Sequence, residues 1–317
     1  MTQDNFNNPI NPTNFYKSLG LSEIAGNKRK INKILRLASF SPDFSFETAK
    51  DKKGRIFFDR YKYIGNGFGV NVIGYRKTRK NKEGQQVEKH VVMDWGIFAQ
   101  GHSDIAVSNA FIDMDEYQLG YCFSEDAKSG NAFEFRINNM LQLHEKYKKL
   151  QNLDEVMQFE NEISYVNTAM LMLYGTVLLP VDKSDPENWH NPEEQLQRDL
   201  LSKARAGDAF AEFSLAAMAA NQEQELRERL QTEDLLSVFE GYFLNMTEQS
   251  GIFSILAEIT HVEEIINPES GEALYRLVLD ITDTTSTAYI NQKDLIGYPI
   301  VGMRLMGIGL LQGIIRM

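Results

Sequence analysis

The chain is 317 residues long, 43% hydrophobic and 24% charged, with a formal net charge of −11. Those values belong to a folded protein able to bury a large core, and they exclude a disordered chain. The acidic balance excludes a protein that coats nucleic acid over its whole surface, because non-specific phosphate affinity comes mainly from Lys and Arg.

In chain order, Met1–Thr13 is polar and Asn-rich, lacks the basic and apolar regions of a signal peptide, and reads as a flexible tail. A short helical pair follows. Phe15, Leu19 and Leu21 lead into 27–38, where Ile31, Ile34, Leu35 and Ala38 recur at helical spacing with Lys and Arg opposite. From Phe44 to Phe135 the pattern changes to strands, at 56–63, 68–75, 87–98, 105–112 and 117–123. Turn-formers such as Gly65-Asn66-Gly67 and 81–84 separate them. Strand following strand at this spacing predicts an antiparallel sheet. A helix is expected over 138–159, and 163–181 is either a buried hairpin or one long strand. Its most apolar part, Ala169–Val181, is interrupted by Tyr174, Gly175 and Pro180 and is shorter than the roughly 18–20 residues of a membrane helix.

The acidic stretch 182–191, with Pro186 and Trp189, reads as a linker. Asn191, Pro192 and Glu194 carry the signals of a helix start, and Leu196, Leu200 and Ala204 form a stripe that ends at Gly207. Asp208 is expected to cap a second helix containing Phe210 and Phe213, and Thr232 a third containing Leu235, Leu236 and Phe239. Beyond it, Ile255–Ile259 and Tyr275–Ile281 alternate as strands, with turns at 267–271 and 282–284. Thr285–Ile290 continues the pattern, and Asn291 caps a short helix at 292–296. In the final strand Gly307, Gly309 and Gly313 share a face with Leu305, Leu311 and Ile315. A row of glycine on one face predicts tight coiling or a close backbone neighbour.

Three strands, a short helix and a strand resemble an OB-like barrel, whose fifth strand has to come from 241–246 or elsewhere. The expected fold is therefore α+β. A tail at 1–13 precedes an α+β domain with an N-terminal antiparallel sheet and helices at 14–181. A helical connector at 182–247 leads to a C-terminal OB-like small β-barrel at 248–317.

Gly175-Thr-Val-Leu-Leu-Pro-Val181, Ala204-Arg-Ala-Gly-Asp208, Glu233-Asp-Leu-Leu-Ser-Val-Phe239 with Tyr242 and Phe243, Ile290-Asn-Gln-Lys-Asp-Leu-Ile-Gly297, Val301-Gly302 and Leu311-Gln-Gly313 form a pattern. It resembles a bacterial family known only as a domain of unknown function, most specifically from about Gly175 to the C-terminus. The resemblance implies no activity and no catalytic residue.

Chemistry-bearing clusters are few. Gly65-Asn-Gly-Phe-Gly69 resembles a phosphate loop, but a strand pattern follows it where such loops need a helix N-terminus, so a hairpin turn is expected. Gly101-His-Ser-Asp104 places three triad residue types side by side, whereas triads are assembled from separate elements, and this too reads as a turn. Asp113-Met-Asp-Glu116 lacks the spacing of a calcium loop. The five histidines, 90, 102, 144, 190 and 261, include no i, i+3 or i, i+4 pair, and the lone Cys122 excludes an intramolecular disulfide and reads as a core residue. No catalytic residue, metal or cofactor is expected.

The dense basic run holds Arg76, Lys77, Arg79, Lys80 and Lys82, and Lys28-Arg-Lys30 adds a second. The functional expectation is a cytoplasmic, non-enzymatic binding or scaffold protein that meets an unidentified protein partner through the C-terminal barrel, away from membranes. The alternative is an accessory protein that binds single-stranded nucleic acid through the Arg76–Lys82 hairpin and the barrel.

Overall fold

The computed structural model describes residues 12–80, 85–115, 119–180, 241–246 and 251–316, and between 181 and 240 only Leu200, Lys203, 208–211, 213–216 and Met218. The tail to residue 11, the turn at 81–84, the linker at 182–191, most of the helix expected after Asn191 and the helix expected after Thr232 lie outside the described residues. The chain forms two compact units, residues 1–179 with 241–317, and residues 180–240. In the second unit Asp208 Oδ1 accepts from Phe210 N at 2.9 Å and Ala211 N at 3.3 Å, the cap its sequence predicts.

The first unit is mostly β with few helices, which corrects the expected α+β balance. A 3-10 helix, Pro12–Leu19, and a short helix α1, Ser22–Gly26, lead into α2, Lys28–Phe40. Asn27 starts α2, its side chain accepting from Arg29 N and Lys30 N. Phe15, Leu19, Leu21, Ile31, Ile34 and Ala38 are buried as their spacing predicts. The helix expected over 138–159 is instead two, α3 (Met140–Tyr147) and α4 (Leu153–Asn161). Asn152 stands between them in an extended conformation and caps α4 through Glu155 N.

β1 (Phe44–Glu47), β2 (Arg55–Gly65), β3 (Phe68–Lys80) and β4 (Gln86–Ala99) form an antiparallel four-stranded sheet in chain order, called sheet A below. The remaining strands share one large mixed sheet, sheet B. They are β5 (Ile105–Asp115), β6 (Leu119–Asp126), β7 (Ala132–Ile137), β8 (Tyr165–Leu178), β9 (Tyr242–Asn245), β10 (Ile252–Ile266), β11 (Ala273–Ile281), β12 (Thr284–Asn291), β13 (Leu295–Ile296) and β14 (Arg304–Ile315).

Sheet B closes on itself. β10 pairs with β11 and β14, β11 with β12, β12 with β8, and β8 with β14. The seam between β12 and β8 is parallel and rests on Ala288↔Met170 and Tyr289↔Leu171; the other four contacts are antiparallel. The strand that completes this ring is thus β8, from the N-terminal half, while β9 pairs with the start of β10 on the edge opposite β14. β5, β6 and β7 make a second circuit from β8 back to β14. The stretches 14–181 and 248–317, separate in the sequence-based division, therefore share one hydrogen-bonded sheet.

The final strand shows why. Its odd-numbered residues Leu305, Leu311 and Ile315 join the ring's inner core, whereas Ile308 and Leu310 join the core shared with α2 and sheet A. Its glycine face has a close backbone neighbour. A Cβ at Gly313 would stand 2.8 Å from Asn167 O, and one at Gly307 would collide with Tyr174 O, both on β8. Buried amides fasten the halves. Asn139 Nδ2 donates to Ile315 O at 2.9 Å and its Oδ1 accepts from Ile315 N at 3.1 Å. Asn267 Nδ2 donates to Leu19 O at 2.6 Å, and Asn291 Nδ2 to Lys17 O at 3.2 Å. No helix among the described residues is long and apolar enough to cross a membrane.

Candidate functional site

Two clusters that read as turns are turns, and the fold brings them to one place. Gly65-Asn66-Gly67 closes the β2–β3 hairpin, with Gly67 at φ +79°. A side chain at Gly67 would sit 2.7 Å from Tyr289 Oη, so glycine lets the hairpin backbone lie against β12. Tyr289 is fully buried and donates to Gln100 O at 3.0 Å. Burial raises its phenol pKa above the ordinary value, against an opposing hydrogen bond with Arg276.

The 101–104 loop is fixed from three directions. Asn167 Oδ1 accepts from Gly101 N, and its Nδ2 donates to Asp104 Oδ1, both at 2.8 Å. Thr287 Oγ1 accepts from His102 N at 2.8 Å. Arg316 pairs with Asp104 at 3.2 Å. Asp104 is thus bonded to an amide and a guanidinium, which is the arrangement of a loop anchor and not of a triad orienting its histidine.

Between hairpin and loop opens a cleft of about 410 Å³, walled by Tyr63, Asn66, the glycine backbone, His102 and Arg276. Arg276 stands opposite Tyr289 on β12 and opposite Glu263 on β10, with which it forms an ion pair. Asn66 Nδ2 reaches the same carboxylate at 3.4 Å. His261, two residues from Glu263 on one face of β10, brings its ring to 6.3 Å from that of His102. The cleft wall offers a guanidinium, an amide and the His102 imidazole, with His261 and Glu263 beside them, a set suited to polar recognition. That His261, Arg276 and Tyr289 lie together escapes sequence reading, because only the β10–β11–β12 register makes them neighbours.

The basic run lies elsewhere. Arg76 is eight residues beyond Phe68 on β3, about 26 Å along the strand from the cleft. Arg76 pairs with Glu47 at 2.8 Å and with Glu88; those two hydrogen bonds, Glu88 first, raise its pKa. Lys77 Nζ stands 5.5 Å over the Tyr75 ring, Arg79 and Lys80 are exposed beside Phe40 and His90, and Lys82 is outside the described residues. Cys122 is fully buried, and burial pushes its thiol up to about 12, so it is inert. Among the described residues no three His, Cys, Asp or Glu side chains gather as a metal site.

Fold and cleft together define a mostly β protein in which an N-terminal antiparallel sheet leans on a closed ring and leaves a polar opening at the joint. The chain belongs to the family described as "Domain of unknown function, E. rectale Gene description (DUF3881)", which matches residues 16–313. The family therefore takes in sheet A as well as the stretch after Gly175. No curated protein and no solved structure matches the chain.

Proposed function

We propose that the protein is a cytoplasmic, non-enzymatic binding protein whose C-terminal ring is an OB-like barrel and whose cleft receives a protein partner. Support for the barrel comes from the order β10–β11–β12–β8–β14 and from the short 3-10 helix, Gln292–Asp294, before the last strand. In this reading β8 takes the place of the fifth strand, as in a circular permutation. OB barrels bind on the face of their second and third strands, here β11 and β12, which carry Arg276 and Tyr289. The hairpin and the N-terminal 3-10 helix pack against β12, and the cleft opens beside them.

The observation that carries the reading is Arg276. Its guanidinium borders the cleft and is paired to a carboxylate only about two-thirds buried, a contact that a partner's Asp or Glu can replace. The test compares cross-linked partners of the full chain with those of Arg276→Gln and His102→Ala. Loss of the same partner from both supports the cleft; an unchanged partner set removes it.

The nucleic-acid alternative rests on Arg76, Lys77, Arg79, Lys80 and Lys82. It has less behind it, because Arg76 is committed to Glu47 and Glu88 and the run stands far from the ring's cleft. Salt-sensitive retention on single-stranded DNA, abolished by Arg79→Ala with Lys80→Ala, is what it requires.

A further inference from the structure

On the far side of sheet B the second circuit is incompletely zipped. β7 pairs with β14 only at Gln312↔Arg136 and Gly313↔Ile137, so β7 departs from β14 before Arg136. Across the gap Phe243 of β9 stacks on Phe253 of β10, centroids 3.9 Å apart. A groove of about 380 Å³ runs between these rings and Phe123 and Phe133.

Ala132, Phe133 and Phe243 also line an inner chamber of about 30 Å³, so groove and chamber meet at these side chains. Most of the chamber is apolar, with Ile105, Ile281 and Leu311 in its wall. Two hydroxyls stand out. Thr168 and Ser286 are 2% and 6% exposed, both line the chamber, and among the described residues neither hydroxyl has a hydrogen-bond partner. A buried hydroxyl without a partner is costly, and the two residues that carry these hydroxyls stand in the wall of one cavity.

The rim is a tight turn. Thr282, at φ +48°, and Asp283, at φ +70°, are the two central residues of the β11–β12 hairpin, where such a turn requires φ above zero at both. Asn131 braces it, donating to Thr282 O at 2.7 Å and to its Oγ1 at 3.0 Å.

We propose that groove and chamber form a binding site for a small neutral amphipathic molecule, its apolar body among the phenylalanines and a single hydroxyl or amide on Thr168 and Ser286. The chamber has room for about two water-sized groups, which suits a head group and no more. Glu125 and Glu134 line the groove, and no cation lines either space among the described residues, so an anionic head would lack a counter-charge.

1-Hexanol is the probe, with hexanoate as its charged counterpart, titrated into the full chain and followed by saturation-transfer NMR and calorimetry. Hexanol binds and hexanoate binds at least about tenfold more weakly. Thr168→Val and Ser286→Ala, near-isosteric changes whose folding is checked by melting, each weaken hexanol about fivefold. Phe243→Trp, which narrows the junction, abolishes binding and keeps the proposal testable if either hydroxyl variant fails to fold. Silence with hexanol, equal binding of hexanoate, or hexanol binding unchanged in the variants overturns it. So does a high-resolution structure at saturating hexanol in which only waters occupy the chamber.

Discussion

Sheet A and the ring of sheet B are joined in one unit but are held together by different means. Sheet A is braced from within by charged groups. Arg60, its side chain 9% exposed, lies over the Phe58 ring at 4.1 Å and reaches Glu47 at 2.6 Å, Ser39 O and His90 Nδ1. A guanidinium can only donate, so Nδ1 of His90 accepts and Nε2–H is left to donate to Glu88 Oε2 at 3.3 Å. The His90 ring is stacked on Phe40 at 4.7 Å. Burial raises the Glu47 carboxyl, but hydrogen bonds from Arg60 and Arg76 outweigh it and hold its pKa below the ordinary range. The ring, by contrast, has an apolar interior and neutral amide fastenings. Sheet A should therefore respond to pH, and the ring to volume.

The largest expected effect tests the first half of that contrast. Tyr61 Oη stands 2.7 Å from both Asp59 Oδ2 and Asn138 O. A phenol has one proton and cannot donate to two acceptors, so the geometry is satisfied when Asp59 keeps its own proton and donates to Tyr61. Burial raises the Asp59 pKa to about 7, outweighing hydrogen bonding with Tyr61 and Asn71, which acts to lower it. The folded chain holds this proton to about pH 7, whereas the unfolded chain releases it near 3.8. Stability from this group is complete below the unfolded value and is lost as pH rises through 7. The loss amounts to about 4 kcal/mol by pH 8. Urea midpoints of wild type and Asp59→Asn, compared from pH 4 to 8, should diverge with rising pH in favour of the variant. Parallel curves would show that sheet A is not the pH-sensitive part.

Volume is the ring's weakness. Gly307→Val drives a side chain into Tyr174 O, with Gly175 Cα 3.1 Å from the new Cβ, so β8 and β14 must separate where they close the ring. The expected loss is about 3 kcal/mol, read as a lower denaturant midpoint at unchanged slope. Gly26→Ala, at a helical glycine with nothing within 4 Å among the described residues, is the control and should be neutral or stabilising. Equal losses at both positions would mean that ring closure has no special cost.

Local order was legible where each residue depends on its sequence neighbours. The hairpin at Gly65–Gly67, the cap at Asn291 and the alternation of Tyr275–Ile281 all stand as the sequence predicts. What escaped depends on partners far apart in the chain. β8 looks the same from sequence whether it ends a domain or completes a ring, because its buried run, Val166–Leu173, satisfies either arrangement. The cleft shows the same gap. Gly67, His102 and Arg276 each have an ordinary local explanation, and only the register of β10, β11 and β12 makes them one site. The inner chamber left no sequence signal at all, since Thr168 and Ser286 are common strand residues whose missing partners become visible only in three dimensions.

The smallest effect concerns the joint between the two sheets. Gln312 is 2% exposed on β14, within the Leu311-Gln-Gly313 segment of the family pattern. Its hydrogen-bond partners orient the amide, with Nε2 donating to Ile97 O at 3.1 Å and Oε1 accepting from Ala99 N at 2.7 Å. One side chain thus meets the open edge of β4 as a neighbouring strand would. Gln312→Leu keeps the bulk and removes both bonds, leaving a donor and an acceptor of that edge unpaired, for a loss of about 2 kcal/mol. Gln312→Glu keeps the acceptor for Ala99 but brings a buried charge, so it should be no better than leucine. Hydrogen exchange separates the outcomes. If the sheets are joined here, Ala99 N–H exchanges faster in Gln312→Leu while the amides of the β8–β14 ladder keep their protection. Loss of protection in both places would make Gln312 part of the ring's own core, and the division between a charge-tied sheet and a volume-tied ring would have to be redrawn at β4.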